Sequence, residues 1–409
     1  MAAQHPGRTR RKKKIQERDL RGWKWLGRFQ ALLAGARGRV PSGPREEHGL
    51  RLLHAPQYLG LFLFGLFNPV LDSMRGLCEA SHLRRVREKT GVEGPVALSR
   101  FSDAQHVFEP ELLRQVIGTL VEEGGAQLGA SCGGGVDART LRIVDSTLWK
   151  VVPRMQWAEY GGGRGGQTRA VRLHLKLRVS DGAPAAGLIS AGKLCERKAL
   201  AAQLRAGEIY IGDRYYGGDY RFLADMEKAG CGFLVRLRAS AAITWENEEP
   251  LSDAERAAGI VRAGRARLGS DADAEGGPRP AVRIVRIEPE AKEPVLLVAS
   301  ACLGDMNPGE IGELYRKRWQ VEQFFRWLKC LMPCRHFFAQ SERGVSLQIY
   351  LTLIAALLLA AELGRRPGKR LMELLRFHQM GWAGDDELEA GIGRALHAAR
   401  QAAARKNKA

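Results

Sequence analysis

The chain has 409 residues, enough for two or three domains with a sizeable core. Its 64 Lys and Arg outnumber 45 Asp and Glu, giving a formal net charge of +19, and 45% of its residues are hydrophobic. This balance excludes an acidic disordered chain and points to a polyanionic partner.

The first predicted element is a basic arm with its linker, residues 1–47. Lys12, Lys13 and Lys14 form the middle of its charge cluster, and Trp23, Trp25 and Phe29 follow. Such a cluster either solubilises the chain or neutralises phosphates. Residues 48–135 read as a helical region. Tyr58 to Leu71 is apolar but too short to span a bilayer. The last helix of the region carries an apolar stripe of Leu112, Leu113, Val116, Ile117, Leu120 and Val121. Six glycines between Gly124 and Gly135 then mark a domain boundary.

Beyond the boundary the period changes. Leu141 to Val152, Ala170 to Val179 and Ala186 to Ser190 read as strands, the second alternating Val171, Leu173, Leu175 and Leu177 with Arg172, His174, Lys176 and Arg178. The glycine-rich stretch 161–166 lacks the GK[ST] ending of a phosphate loop. A helix over Arg197 to Ala206, a strand Ile209 to Gly212, a helix Tyr220 to Ala229 and a strand Gly232 to Arg238 follow. Three strands, helix, strand, helix, strand is the order of a ribonuclease-H-like α/β core, assigned to residues 136–238. Residues 239–307 read as a β-rich insertion. Residues 308–363 complete the core with one long helix, Pro308 to Leu331, and an apolar helix, Val345 to Leu363. The latter is near the membrane-spanning length of ~18 residues. It carries Gln348 and Glu362, however, and reads as a helix buried in a protein core. Residues 364–409 form a helical basic tail.

Seven scattered cysteines without an export signal point to a reducing compartment, with the cytoplasm as default. Cys330, Cys334 and His336 are close in sequence, but no second ligand pair stands at zinc-finger spacing, so buried thiols are expected.

Three acids stand out. Asp145 ends the apolar run Leu141-Arg142-Ile143-Val144, and Asp213 ends Ile209-Tyr210-Ile211-Gly212. Each puts a carboxylate at the end of a buried strand; a cap or turn aspartate is the plainer alternative. Carboxylates converging from neighbouring strands would repel each other, and a divalent cation relieves that repulsion. The third acid, Glu322, lies in a helix with Tyr315, Arg318 and Lys329. At 3.6 residues per turn these four share an arc of about 60°. Trp319, Phe324, Phe325 and Trp327 mostly cover the other faces, so the helix is packed nearly all round and its polar stripe needs partners.

The spacing Tyr315-x2-Arg318-x3-Glu322-x6-Lys329 resembles the YREK signature of DDE transposases from bacterial insertion sequences, the insertion-sequence-4 family. The resemblance extends to Asp145-Ser146-Thr147, to Arg172-Leu173-His174-Leu175 and to Asp213-Arg214-Tyr215-Tyr216, and covers about residues 98–362. It implies a DNA-cleaving and DNA-joining enzyme whose metal ligands are Asp145, Asp213 and Glu322. Two Mg²⁺ ions, with Mn²⁺ as substitute, would straddle the scissile phosphate. Tyr315, Arg318 and Lys329 would contact DNA phosphates. The helical region 48–135 would bind DNA, and the partners would be transposon ends, target DNA and a second copy of the chain in a synaptic homodimer, with no membrane. If cleavage passes through a hairpin, the insertion would supply an aromatic to hold a flipped base. Trp245 is the candidate, with packing on its own sheet as the plainer role. Family members often carry a His–acid pair after the third strand; here Cys195 and Glu196 stand there. Two alternatives stay open: an inactive DNA-binding relative and a ribonuclease-H-like nuclease.

Overall fold

The computed structural model describes residues 23–68, 70–125, 135–163, 166–269, 281–290, 293–331, 337–363 and 369–406. Lys12, Lys13, Lys14, Cys334 and His336 lie outside the described residues, as do the side chains of Cys330 and Glu362. The fold is mixed α/β with a central sheet, and it divides into two compact units, Met1–Phe108 with Gly368–Ala409, and Glu109–Pro367.

The described part of the smaller unit is helical: α1 (Trp23–Arg37), α2 (Ala55–Leu66), α3 (Met74–Ala80), α4 (Arg84–Thr90), α5 (Leu98–Ala104), and two more helices at Lys369–Gln379 and Asp385–Lys406. The apolar run from Tyr58 is α2, buried along almost its whole length. Tyr58, Phe62, Phe101 and Phe108 cluster there, with ring centroids 4.8–6.0 Å apart. Buried Asn68 satisfies its amide on the Phe64 carbonyl at 2.7 Å, and this local bond makes the residue tolerable in an apolar run.

The larger unit opens with α6 (Glu111–Gly125). Then come β1 (Leu141–Lys150), β2 (Glu159–Gly163), β3 (Gly166–Arg178), β4 (Pro184–Ala191), α7 (Glu196–Ala201), β5 (Ile209–Gly212), α8 (Tyr220–Lys228) and β6 (Gly232–Arg236). The rest is β7 (Ile243–Trp245), α9 (Asp253–Ala257), β8 (Ile260–Leu268), β9 (Ala281–Ile287), β10 (Val295–Ala299), α10 (Pro308–Arg316), α11 (Trp319–Leu331) and α12 (Glu342–Leu363). The sheet order is β2-β3-β1-β5-β6-β10-β9-β8-β7, with β4 on β3. β1 is antiparallel to β3 and parallel to β5, and β5 is parallel to β6.

Several sequence-based boundaries change. Helix α6 belongs with the sheet, not with the helices of residues 48–108. Its apolar stripe packs on α12 and β4, and the Arg178 guanidinium donates to the Val121 carbonyl. The glycine-rich stretch contributes β2, a hairpin arm whose small residues let the backbones pair closely. The β-rich insertion is not a separate sheet, because β10 pairs antiparallel with β6 and joins β7–β9 to the central sheet. The helix expected over Pro308 to Leu331 is two helices. Around Lys317 and Arg318 the N–H groups of Lys317, Arg318 and Val321 bond to carbonyls three residues back, so the helix tightens and restarts.

Helix α12 is long and apolar enough to cross a membrane, yet 89% of its apolar stretch is buried inside the protein. Gln348, wholly buried, accepts a hydrogen bond from the Phe338 N–H at 3.0 Å through its side-chain oxygen.

Candidate active site

Parallel pairing of β1 with β5 matches Leu141 to Ile209 and Ile143 to Ile211. Two residues further along each chain stand Asp145 and Asp213, so both carboxylates leave the same edge of the strand pair. Asp213 does follow the end of its strand. Asp145 does not: β1 runs on to Lys150, because β3 keeps pairing with it from Leu175 to Ala170. Gly212 gives the second acid its setting. A Cβ there would sit 2.7 Å from the Tyr216 ring, which is buried beneath this turn.

On β1, side chains alternate, so Asp145, Thr147 and Trp149 share one face. Helix α11 packs against this strand and carries Glu322 and Lys329. Arg318, at the break between α10 and α11, ties the acids together. Its Nη2 donates to Glu322 Oε1 at 2.7 Å, and its Nη1 lies 3.9 Å from Asp145 Oδ2. Its guanidinium stands 5.8 Å from the Tyr315 ring centroid. Lys329 is exposed, with its ammonium 5.9 Å from the Trp149 ring centroid. The helix break therefore alters the expected stripe without dispersing it: Tyr315 and Arg318 precede the restart, and Glu322 and Lys329 follow.

Asp145 is the electrostatically strained member. Burial pushes its carboxyl up to about 7; the Ser146 N–H and Arg318 pull down, while Asp213 and Glu196 push further up. Asp213 holds its loop by accepting from the Tyr215 N–H at 2.9 Å.

A half-buried network on the opposite face of β1 is not readable from the sequence. Ser146 Oγ donates to Glu196 Oε1 at 2.7 Å, and Arg172 Nη1 reaches both groups, at 2.9 and 2.5 Å. Arg172 Nε also donates to the Gly192 carbonyl at 3.1 Å. Three elements, β1, β3 and α7, are thus clamped directly behind Asp145. The sequence signal was an arginine in an apolar strand and an acid opening a helix, but only strand register reveals that they meet.

Trp245 lies in β7 opposite Ala266, half-buried against the core, with the Arg262 guanidinium 4.0 Å from its ring centroid. Among the described residues no three carboxylate, imidazole or thiol groups are gathered around one ion-sized point. Arg318 is the cation between Asp145 and Glu322.

The family described as Transposase DDE domain matches residues 137–358, more than half of the chain. A Sinorhizobium fredii protein named as a transposase is 24% identical over 240 residues, covering 58% of this chain and 64% of its own. A Geobacillus stearothermophilus protein, named as a transposase for an insertion sequence element, is 26% identical over 223 residues, covering 54% and 56%. The chain thus spans less than two thirds of either relative. A cryo-EM structure of a piggyBac transposase synaptic complex with hairpin DNA aligns with 94% of this chain and 77% of its own at TM-score 0.36 and 10% identity, too distant to carry an argument.

Proposed function

This chain belongs to the transposase DDE domain family, and from that premise we propose that it binds the ends of an insertion sequence and cuts and joins DNA with Asp145, Asp213 and Glu322. The core is read as ribonuclease-H-like, in the strand order β4-β3-β1-β5-β6, and the Tyr315–Lys329 segment as the YREK signature of the insertion-sequence-4 family. The observation that carries the reading is Arg318 bridging Asp145 and Glu322, beside an Asp145 carboxyl pushed up to about 7.

The chemistry of the donors, rather than their spacing around Arg318, suits a hard divalent cation. The three groups are carboxylates, and mutual repulsion together with burial already resists ionisation at Asp145. Asp145, Asp213 and Glu322 would hold Mg²⁺ or Mn²⁺, which supplies Lewis acidity to the attacking and leaving oxygens of phosphoryl transfer. The protein's own groups do the rest. Arg318, already in place, would turn a planar fork toward a phosphate oxygen, and Lys329 would add a point charge further along α11. Tyr315 would donate its hydroxyl proton in a hydrogen bond to the backbone. The Arg172–Glu196–Ser146 clamp holds β1 rigid where Asp145 must keep its aim. A second copy of the chain would pair the two ends, and the hairpin route would place Trp245 beside a flipped base.

The test is strand cleavage of a duplex carrying the DNA that flanks the coding sequence, with Mg²⁺. Wild type is expected to nick it, and Asp145→Asn, Asp213→Asn and Glu322→Gln to fall to background while still binding. Near-normal nicking by any of the three removes that residue from the site.

A further inference from the structure

The turn after β5 carries an aromatic ring that neither the acids nor the core use. Tyr215, two residues past Asp213, keeps 40% of its surface exposed. The ring is held nonetheless. Its backbone N–H is anchored on the Asp213 carboxylate, and its hydroxyl lies 3.2 Å from the Cys195 thiol. The Arg197 guanidinium stands 4.6 Å from the ring centroid while donating to the Tyr215 carbonyl at 2.7 Å. Asp219, 3.3 Å from Arg197, fixes that guanidinium in turn. The Tyr216 ring meets Tyr215 edge-on at 6.2 Å. Contacts on this scale serve to orient a ring, since burying it would have removed it from solvent.

We propose that Tyr215, backed by Arg197, is a stacking platform for a nucleobase within one or two nucleotides of the scissile phosphate. The proposal rests on the DNA-cleaving reading above. A flat aromatic face accepts any base, and a guanidinium behind it adds the positive charge that a nucleotide favours. Its position decides the occupant: the loop that orients the ring is tied to the carboxylate that faces the phosphate.

The probe is a duplex with a five-nucleotide single-stranded tail containing one 2-aminopurine, whose fluorescence falls when the base stacks. Full-length wild type is expected to quench the tail. Tyr215→Phe, which keeps the ring and loses only the contact with Cys195, is expected to quench it equally. Tyr215→Ala is expected to lose the quench and to bind the tailed duplex about tenfold or more weakly. Its affinity for the blunt duplex and its melting temperature should stay at wild-type values. Quenching retained by Tyr215→Ala, or absent in a wild type that nicks DNA, overturns the platform and leaves the cleavage reading intact. A wild type that neither quenches the tail nor nicks any duplex overturns both.

Discussion

The two ends of β5 carry acids with opposite surroundings. Glu208, just before the strand, accepts from Arg142 Nε at 2.9 Å, from Lys176 Nζ at 3.3 Å and from the Tyr210 hydroxyl at 2.7 Å. Burial raises its carboxyl, but these partners outweigh burial and hold it below the usual carboxylate range. At the other end, Arg318 is shared between Asp145 and Glu322, Arg172 pairs with Glu196, and Asp145 is pushed up to about 7 by burial and by the nearby Asp213 and Glu196. The first cluster is electrostatically complete and serves the fold. The second has fewer cationic partners at its acids, and on the proposed function a cation and a polyanion would complete it.

The sharpest way to break this contrast is to remove one acid from each end. Glu208→Gln strips the carboxylate from buried Lys176 and is expected to cost about 3–5 kcal/mol in urea unfolding. Asp213→Asn removes one of several like charges and is expected to leave stability unchanged or higher. Equal losses at both ends would mean that the second cluster is structural too.

A smaller effect follows from pH. A folded carboxyl at about 7, against an ordinary value of 3.8, binds a proton that the unfolded chain has released. Without divalent cations the folded state therefore loses stability as pH rises from about 4 through about 7. Asp145→Asn should flatten that slope and melt a few degrees higher than wild type above pH 7. Parallel melting curves across this range would contradict the raised value.

Smaller still are the single-phosphate effects. Arg318→Ala and Lys329→Ala should each lower the salt dependence of DNA binding by roughly one phosphate, with the fold retained. The arm expected over residues 1–47 includes α1, whose Leu26, Phe29 and Leu33 are buried core residues, so only residues 1–22 can be removed without opening that core. Their removal should weaken binding to any duplex, whatever its sequence, because they carry net positive charge. An unchanged affinity at moderate salt would make the arm a solubilising tail.

The positions of the three acids at the sheet edge and on the helix were legible because their signals are local. Asp145 and Asp213 each follow an apolar strand run, and Arg318 and Glu322 stand one helical turn apart. What stayed hidden depends on distant chain segments meeting. The Arg172–Glu196–Ser146 clamp needs the β1–β3 register and the placement of α7. The union of insertion and core needs β10 to find β6, some sixty residues away. The restart at Arg318 has no proline or glycine to announce it; Arg318 sits where the helix can present its guanidinium to β1 and to its own next turn. Helix α6 looked like part of the N-terminal region because a glycine-rich stretch follows it, but its apolar stripe finds its partners at α12 and β4.

The central claim, that the Asp145 end of the sheet is built to take a divalent cation, is tested most directly by titrating Mg²⁺ or Mn²⁺ against melting temperature at pH 7.5. Wild type and Glu208→Gln should both gain stability with saturable dependence on the cation, whereas Asp145→Asn and Glu322→Gln should gain little. A wild type that does not respond, or variants that respond as it does, would contradict the assignment.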